Sequence, residues 1–233
     1  MYLAEFTGRG VRIAVVDSGV HASHPHVGGI AGGFGLREGA LVEDCVDRLG
    51  HGTAVAAAIR EKAPGAELLA VKVFFEKLAT DVETLARAIV EAAGRGAGVI
   101  NLSLGTAEIG HRARLEDAIL CARQDGAIVV AARDDAGVSW LPGSLDSVAA
   151  VRSDPTLDRR AYDVRMVNDR PVIVTAPYPR DIPGVPRERN LNGISFAVAN
   201  ASGFVARARE ASPRADVGAI LARLRDEACA RIA

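Results

Sequence analysis

Short apolar runs rich in β-branched residues alternate with longer segments of helical periodicity along most of the chain. The runs that predict buried strands cover residues 11–19, 66–75, 98–105, 127–135, 146–151 and 170–177. The segments that predict helices cover residues 51–64, 80–96, 113–126, 195–210 and 213–233. Strands that are almost continuously apolar and that alternate with helices indicate a parallel sheet covered on both faces. We therefore predict an α/β three-layer sandwich, with a mostly parallel, twisted sheet, helices on both faces and right-handed crossovers.

Composition and charge limit the classes of protein and partner that fit this chain. Its 233 residues are enough for one well-buried domain and no linker divides them, so we predict a single domain over residues 1–233. A formal net charge of −1 provides no electrostatic attraction for nucleic acid or for an anionic membrane. No apolar run reaches the length of a membrane span, and the amino-terminal residues lack the pattern of a signal peptide. We expect neither nucleic acid nor a membrane as a partner.

The cysteines indicate a reducing environment. Cys45, Cys121 and Cys229 are odd in number, widely spaced and free of any C-x-x-C motif. This pattern favours free thiols over a disulfide framework, and it contains no zinc-binding arrangement. We therefore expect a cytoplasmic protein that needs neither a metal nor another cofactor.

Three chemically active residues fall where predicted strands end or predicted helices begin: Asp17, His51 and Ser195. Ligands of such sheets bind beyond the carboxyl ends of the strands, where these side chains can meet. A serine hydroxyl becomes a nucleophile when a histidine takes its proton, and a buried carboxylate holds that histidine in the required tautomer. The chain order Asp, His, Ser is one of the known orders of such triads. Taken singly, Asp17 could instead begin a turn, and His51 or Ser195 could cap a helix.

Four local sequences resemble those of the subtilisin-like serine peptidases, the subtilases. They are VRIAVVDSGVHASHP for the aspartate strand, HGTAVAAAI for the histidine helix, VINLSLG for the substrate-binding strand and NGISFAVANASG for the serine helix. Each motif is weak evidence alone, but the four occur in the family's order. The resemblance extends from about residue 8 to about residue 210.

The resemblance implies a role for each matching residue. Asp17 would orient His51, which would act first as general base and then as general acid. Ser195 would attack the scissile carbonyl to form an acyl-enzyme, and its backbone N–H would donate to the oxyanion. Ser103, Leu104 and Gly105 would pair with the main chain of a peptide or protein substrate, which binds as an added β-strand.

The expected second oxyanion donor differs from the family pattern. The family usually carries Ala-Gly-Asn where this chain has Ala132, Arg133 and Asp134. An aspartate donates a hydrogen bond only when it is protonated. We expect burial to outweigh the neighbouring arginine and to keep Asp134 protonated, as the second member of the oxyanion hole beside Ser195. Such a site predicts a slow enzyme, or one favoured by lower pH.

Two bulky residues fall where the resemblance implies the pocket for the P1 side chain, the residue before the scissile bond. Arg133 replaces a glycine of the pocket wall, and Trp140 lies near the pocket floor. Together they predict a shallow pocket for small P1 residues. Alternatively, the Arg133 guanidinium faces an acidic P1 side chain or points to solvent.

Other positions also depart from the family pattern or invite a second interpretation. Ile194 and Ala199 stand where the family usually has threonine and proline. Calcium-binding insertions and an amino-terminal pro-region are not expected, which favours an enzyme that folds unaided or with a separate partner chain.

His21, His24 and His26 are spaced closely enough to bind zinc, but no cysteine or carboxylate completes an obvious site. Because Ser-His-Pro matches the family's loop, we interpret these histidines as structural.

These observations favour a serine endopeptidase of restricted specificity over an enzyme of bulk digestion. One such task is the removal of a leader from a ribosomally made peptide. A pseudo-peptidase that binds an extended peptide without cutting it remains an alternative, supported by the changes at Asp134, Ile194 and Ala199. A transpeptidase, in which an amine intercepts the acyl-enzyme, is a further alternative.

Overall fold

A nine-stranded sheet runs through the computed structural model, which describes residues 3–135, 137–186 and 189–230. The strands are β1 (Arg12–Asp17), β2 (Gly32–Arg37), β3 (Ala40–Val42), β4 (Glu67–Lys72), β5 (Val99–Leu102), β6 (Ile128–Ala132), β7 (Asp134–Asp135), β8 (Val138–Ser139), β9 (Ala149–Ser153), β10 (Tyr162–Val167) and β11 (Arg170–Thr175). The helices are α1 (His51–Lys62), α2 (Val82–Gly94), α3 (Arg112–Gln124), α4 (Ile194–Ala211) and α5 (Val217–Cys229). A short 3₁₀ helix, Ile109–His111, precedes α3.

The strands lie in the order β10-β11-β9-β6-β5-β1-β4-β2-β3. Adjacent strands from β11 to β2 are parallel, and an antiparallel hairpin strand closes each edge. The predicted architecture, a mostly parallel sheet covered by helices, is therefore confirmed. The small antiparallel pair β7-β8 lies outside this sheet.

Several strands were not predicted from the sequence, each for a physical reason. The sequence of β2, GGFGLR, is rich in glycine, which is disfavoured in strands because it contributes no side chain to pack. The edge strands β3 and β10 carry many exposed positions, so they lack the continuous apolar character of the central strands. Pairing with a neighbouring strand, rather than local propensity, explains these elements.

Side chains alternate between two buried layers along the central strands. In β1, Ile13 and Val15 pack on the side of α1, α4 and α5, whereas Ala14 and Val16 pack on the side of α2 and α3. All four are fully buried, as expected for a strand with helices on both sides. Among the residues that the structure describes, no helix is both long enough and apolar enough to cross a membrane.

Helices α1 and α4, which carry His51 and Ser195, approach each other closely at Gly203. A Cβ atom at that position would lie 2.3 Å from the Cβ of Lys62 and 3.4 Å from the carbonyl oxygen of Ile59. The Lys62 side chain is itself fully buried, so it has little room to move away. The absence of a side chain at Gly203 therefore sets the distance between the two helices.

We predict that Gly203→Ala lowers the free energy of unfolding by about 1–3 kcal/mol, because the added methyl overpacks the α1–α4 contact. Gly94→Ala is the matched control, since a Cβ at Gly94 meets nothing within 4 Å and alanine favours a helix. The control should be neutral or stabilising by up to about 1 kcal/mol. Urea unfolding of both variants measures the difference, and equal stability of the two would contradict the close approach.

Candidate active site

Asp17 lies at the carboxyl end of β1, in the middle of the sheet, and is fully buried. The Nδ1 atom of His51 donates to the Asp17 carboxylate and lies 2.8 Å from Oδ1 and 2.9 Å from Oδ2. The backbone N–H of Ser18 also donates to Oδ1, at 2.7 Å. Because Nδ1 carries the proton in this arrangement, Nε2 of the neutral imidazole is free to accept one.

His51 is the first residue of α1, and a close backbone approach places it against Asp17. A Cβ at Gly52 would lie 2.1 Å from the carbonyl oxygen of Gly19 and 3.2 Å from the Cβ of Asp17. Only glycine therefore permits the helix to begin so near the turn that follows β1. On the other side, the ring of Phe196 in α4 lies with its centroid 5.7 Å from that of His51.

A second carboxylate, Asp47, organises the segment before His51 and was not predicted from the sequence. Asp47 is buried. Its two oxygens accept five hydrogen bonds, from Ser18 Oγ, the backbone N–H groups of Leu49, Gly50 and Thr53, and Thr53 Oγ1. Ser18 Oγ in turn accepts from the backbone N–H of Gly52 at 2.9 Å. The available signal was an aspartate four residues before His51, with Gly50 between them. Aspartate commonly accepts hydrogen bonds from backbone N–H groups in turns, and glycine is also frequent there.

The pKa of His51 is raised above its ordinary value. Burial is the largest influence and by itself lowers the pKa, because it disfavours the imidazolium. The hydrogen bond to Asp17, the charge of Asp17 and the charge of Asp47 together outweigh that effect. The pair is thus arranged to stabilise a positive charge on the ring once it has accepted a proton.

Ser195 is the second residue of α4, and its hydroxyl is hydrogen-bonded to the residue that follows β5. Ser195 Oγ donates to the carbonyl oxygen of Ser103 at 3.1 Å. The Ser103 hydroxyl donates to the carbonyl oxygen of Ser195 at 3.3 Å and accepts from Asn101 Nδ2 at 2.8 Å. Asn101 Oδ1 accepts from Ser202 Oγ, which lies two turns further along α4. These bonds fix the start of α4 against the end of β5.

A cleft of about 280 Å³ brings most of the predicted site residues together. Its walls include His51, Ser103, Leu104, Gly105, Trp140 and Ser195. Phe74, Leu78, Ala132, Ile194 and Val198 complete the lining. Trp140, which was predicted near the floor of the P1 pocket, lines this cleft together with Ser195. Ala199, the other departure in the serine helix, is buried in the core.

Asp134 and Arg133, which were predicted to form part of the oxyanion hole and of the P1 pocket, contact each other instead of lining the cleft, and Asp134 also contacts Arg152. Asp134 accepts from Arg133 Nη1 at 2.9 Å and from both Nε and Nη2 of Arg152, so each carboxylate oxygen faces a guanidinium. Both Asp134 oxygens therefore accept hydrogen bonds from guanidinium groups, which occupy the atoms from which a donor to the oxyanion was predicted. Neither Asp134 nor Arg133 lines the cleft, and the Arg133 side chain, only 13% exposed, does not point to solvent.

No group of three or more histidine, cysteine, aspartate or glutamate side chains that could hold a metal ion occurs in the described part of the chain. His21, His24 and His26 instead line a second cavity, beside the first turn of α1. The donors around Asp17 and Ser195 are hydroxyls, backbone amides and one imidazole. Hydroxyl and imidazole groups are the side chains that nucleophilic attack and proton transfer require.

The protein has an α/β fold in which His51 is hydrogen-bonded to the buried Asp17 and lines the same cleft as Ser195. These features place it in the class of α/β proteins that carry the three side chains of a Ser-His-Asp hydrolase. The family model described as the subtilase family matches residues 8–137. Subtilisin Savinase from Lederbergia lenta is 32% identical over 223 residues, which cover 89% of this chain and 79% of that protein. The chain belongs to the subtilase family.

Other relatives differ in how much of their length the chain covers. M-protease from Shouchella clausii (strain KSM-K16) is also 32% identical over 223 residues, but the match covers only 56% of that protein. The chain thus spans little more than half of that relative. Among solved structures, Sphericase superposes with a TM-score of 0.74 at 22% identity, covering 94% of this chain and 83% of its own. At this identity, the similarity to Sphericase shows that the two chains share a fold and shows nothing further.

We predict that Asp17→Asn lowers the pKa of His51 below its ordinary value of 6.5, because burial then acts without the charge that opposes it. Asp47→Asn should lower the pKa of His51 by less, since Asp47 acts on the ring through its charge alone. NMR titration of the histidine ring signals measures both shifts, with His51→Ala used to assign the resonance. A larger shift for Asp47→Asn than for Asp17→Asn would contradict this order.

Proposed function

We propose that this protein is a serine endopeptidase that hydrolyses peptide bonds through an Asp17-His51-Ser195 triad and an acyl-enzyme. The observation that carries the proposal is the buried Asp17–His51 pair, whose imidazole lines the same cleft as Ser195. Membership of the subtilase family supports the same chemistry. The protein's own side chains suffice for each step.

The reaction begins when the Ser195 hydroxyl exchanges its bond to the Ser103 carbonyl for one to Nε2 of His51. Nε2 takes the proton as Oγ attacks the scissile carbonyl carbon, and Asp17 stabilises the imidazolium. The tetrahedral intermediate collapses to an acyl-enzyme while His51 gives its proton to the leaving amine. A water molecule, deprotonated by His51, then attacks the acyl carbon, and the tetrahedral intermediate collapses as His51 returns that proton to Ser195 Oγ, which releases the carboxylic acid.

The oxyanion that forms in each tetrahedral step is stabilised by an oxyanion hole that lacks one of its two usual hydrogen-bond donors. The backbone N–H of Ser195 lies in the first turn of α4, where amide groups lack helical partners and the helix dipole favours negative charge. A second donor is not supplied by Asp134, whose oxygens both accept from guanidinium groups. Loss of one such donor slows a peptidase by roughly a hundred- to thousandfold. A slow rate suits a dedicated processing task better than digestion.

The shape of the cleft supports restricted specificity. A peptide that adds a strand along Ser103, Leu104 and Gly105 reaches Ser195 beside the large ring of Trp140. In a cleft of about 280 Å³, that ring leaves room for a small P1 side chain. We propose a cytoplasmic processing enzyme whose substrate is a peptide precursor, for example one that carries a leader to be removed.

A peptide-binding protein without hydrolytic activity is the second candidate, and specific contacts favour it. The Ser195 hydroxyl donates to Ser103 rather than to the imidazole, and the Asp134 carboxylate is held by Arg133 and Arg152. In that function the same cleft holds an extended peptide and chemistry does not follow.

Labelling with a fluorophosphonate probe tests the proposed function. We expect the wild type to react at Ser195 and Ser195→Ala to remain unlabelled, because the probe requires an activated serine. Mass spectrometry identifies the modified residue, and circular dichroism controls for folding. A folded wild type that stays unlabelled from about pH 5 to pH 8, the range in which an unperturbed histidine changes its charge, favours the peptide-binding candidate.

We predict that Asp134→Asn raises kcat by about tenfold or more, because an asparagine forms neither ion pair with Arg133 and Arg152 and its released amide can turn to the cleft and donate to the oxyanion. Asp134→Ala is the matched control, since it removes the same ion pairs with Arg133 and Arg152 but supplies no donor. Steady-state kinetics with one quenched-fluorescence peptide measures both variants. An equal gain in the two would mean that releasing the arginines, and not the amide donor, increases the rate.

A further inference from the structure

A second cavity, of about 540 Å³, adjoins the catalytic cleft across the first turn of α1. Gly50 and Thr53, which flank His51 along the chain, line it on one side. Asn190 and Leu191, shortly before Ser195, line it on another. None of the substrate-strand residues 103–105 contributes to it. The cavity therefore lies beyond His51, away from the strand that receives the acyl side of the substrate.

The polar side chains that border this cavity are rich in basic groups. His21, His24 and His26 come from the loop after β1, Arg48 from the segment before α1, and Arg180 from the segment after β11. We refer to the space that these five residues border as the basic cavity. Its one acidic lining residue, Asp47, already accepts five hydrogen bonds from its own loop and from Ser18. The five basic side chains therefore outnumber this single carboxylate, whose hydrogen bonds are directed into its own loop and to Ser18.

The two arginines differ in how they are held. Arg48 donates to Asp44 at 2.6 Å, which compensates part of its charge. Among the described residues, no carboxylate forms an ion pair with Arg180. Burial first, and then the charges of Arg180 and His24, lower the pKa of His26, whereas the charge of Glu61, which is paired with Lys62 and Arg159, raises it. Arg180 is the strongest available partner for an anion here.

The histidines present hydrogen-bond donors even when they are neutral. The backbone N–H of His26 donates to Nδ1 of His24 at 3.2 Å, so the proton of the neutral His24 ring resides on Nε2. The rings of His24 and His26 pack edge to face with their centroids 5.2 Å apart. An entering carboxylate would meet an N–H donor as well as the charge of Arg180.

The direction of the reaction identifies the part of the substrate that reaches this cavity. His51 gives its proton to the leaving amine, so the chain that follows the scissile bond departs on the side of His51. Residues a few positions after that bond then lie over the basic cavity. We propose that the basic cavity binds an acidic side chain of the peptide substrate on the leaving-group side of the scissile bond. This inference rests on the proposed function.

Matched peptides test the inference. One quenched-fluorescence peptide carries four alanines before the scissile bond and glutamate at the second to fourth positions after it, and the other carries glutamine there. We expect kcat/KM to be about tenfold higher for the glutamate peptide, as charge-assisted pairing with arginine allows. In Arg180→Gln this ratio should fall to near one, with the glutamine peptide cleaved as by the wild type. Arg225→Gln, an exposed change in α5, is the control and should keep the ratio.

A binding measurement separates failure of the cavity from failure of the peptidase. Calorimetry with Ser195→Ala should show tighter binding of the glutamate peptide than of the glutamine peptide, and Arg180→Gln added to that variant should abolish the difference. Equal cleavage and equal binding of the two peptides by protein that retains Arg180 would overturn the proposal. If neither peptide is cleaved but the binding preference is found and depends on Arg180, the cavity assignment stands and the hydrolytic function fails.

Discussion

The hydrogen bond between the buried Asp17 carboxylate and His51 is the interaction on which the site depends. A carboxylate with no solvent exposure is costly unless donors surround it, and Asp17 has Nδ1 of His51 and the N–H of Ser18. Those donors are available only because β1 ends in the middle of the sheet and α1 begins directly against the following turn. The architecture of the sheet therefore fixes the tautomer of one imidazole, and that tautomer decides which nitrogen can accept a proton.

The elements that carry this pair could be predicted from sequence, because their signals are local. β1 is a continuous apolar run, and α1 and α4 have helical periodicity, so Asp17, His51 and Ser195 could be placed at their ends. The partners of Asp134 could not be predicted in the same way. Arg152 lies on β9, and it reaches Asp134 only through the pairing of β9 with β6. Strand order depends on tertiary packing, and nothing in the sequence near Asp134 indicates it.

The Asp134 cluster also shows how stabilising contacts and catalytic contacts compete for one side chain. Ion pairs with Arg133 and Arg152 compensate the charge of the Asp134 carboxylate, but they occupy both of its oxygen atoms, and Asp134 does not line the cleft. Asp47 shows the opposite arrangement. Both Asp47 oxygens also accept hydrogen bonds, but the donors are backbone N–H groups at the start of α1 and just before it. The contacts that stabilise its charge therefore also position His51.

A weakened oxyanion hole and recognition on both sides of the scissile bond are physically compatible. Binding energy from remote parts of a substrate can be used to orient the reacting carbonyl, and orientation compensates for some of the missing electrostatic stabilisation. A peptide held by the strand at Ser103–Gly105 and by the basic cavity beyond His51 would be fixed in register across Ser195. A peptide that lacks one of these contacts would lose rate as well as affinity. Under the proposed function, slow general hydrolysis and selective processing would be two consequences of the same site.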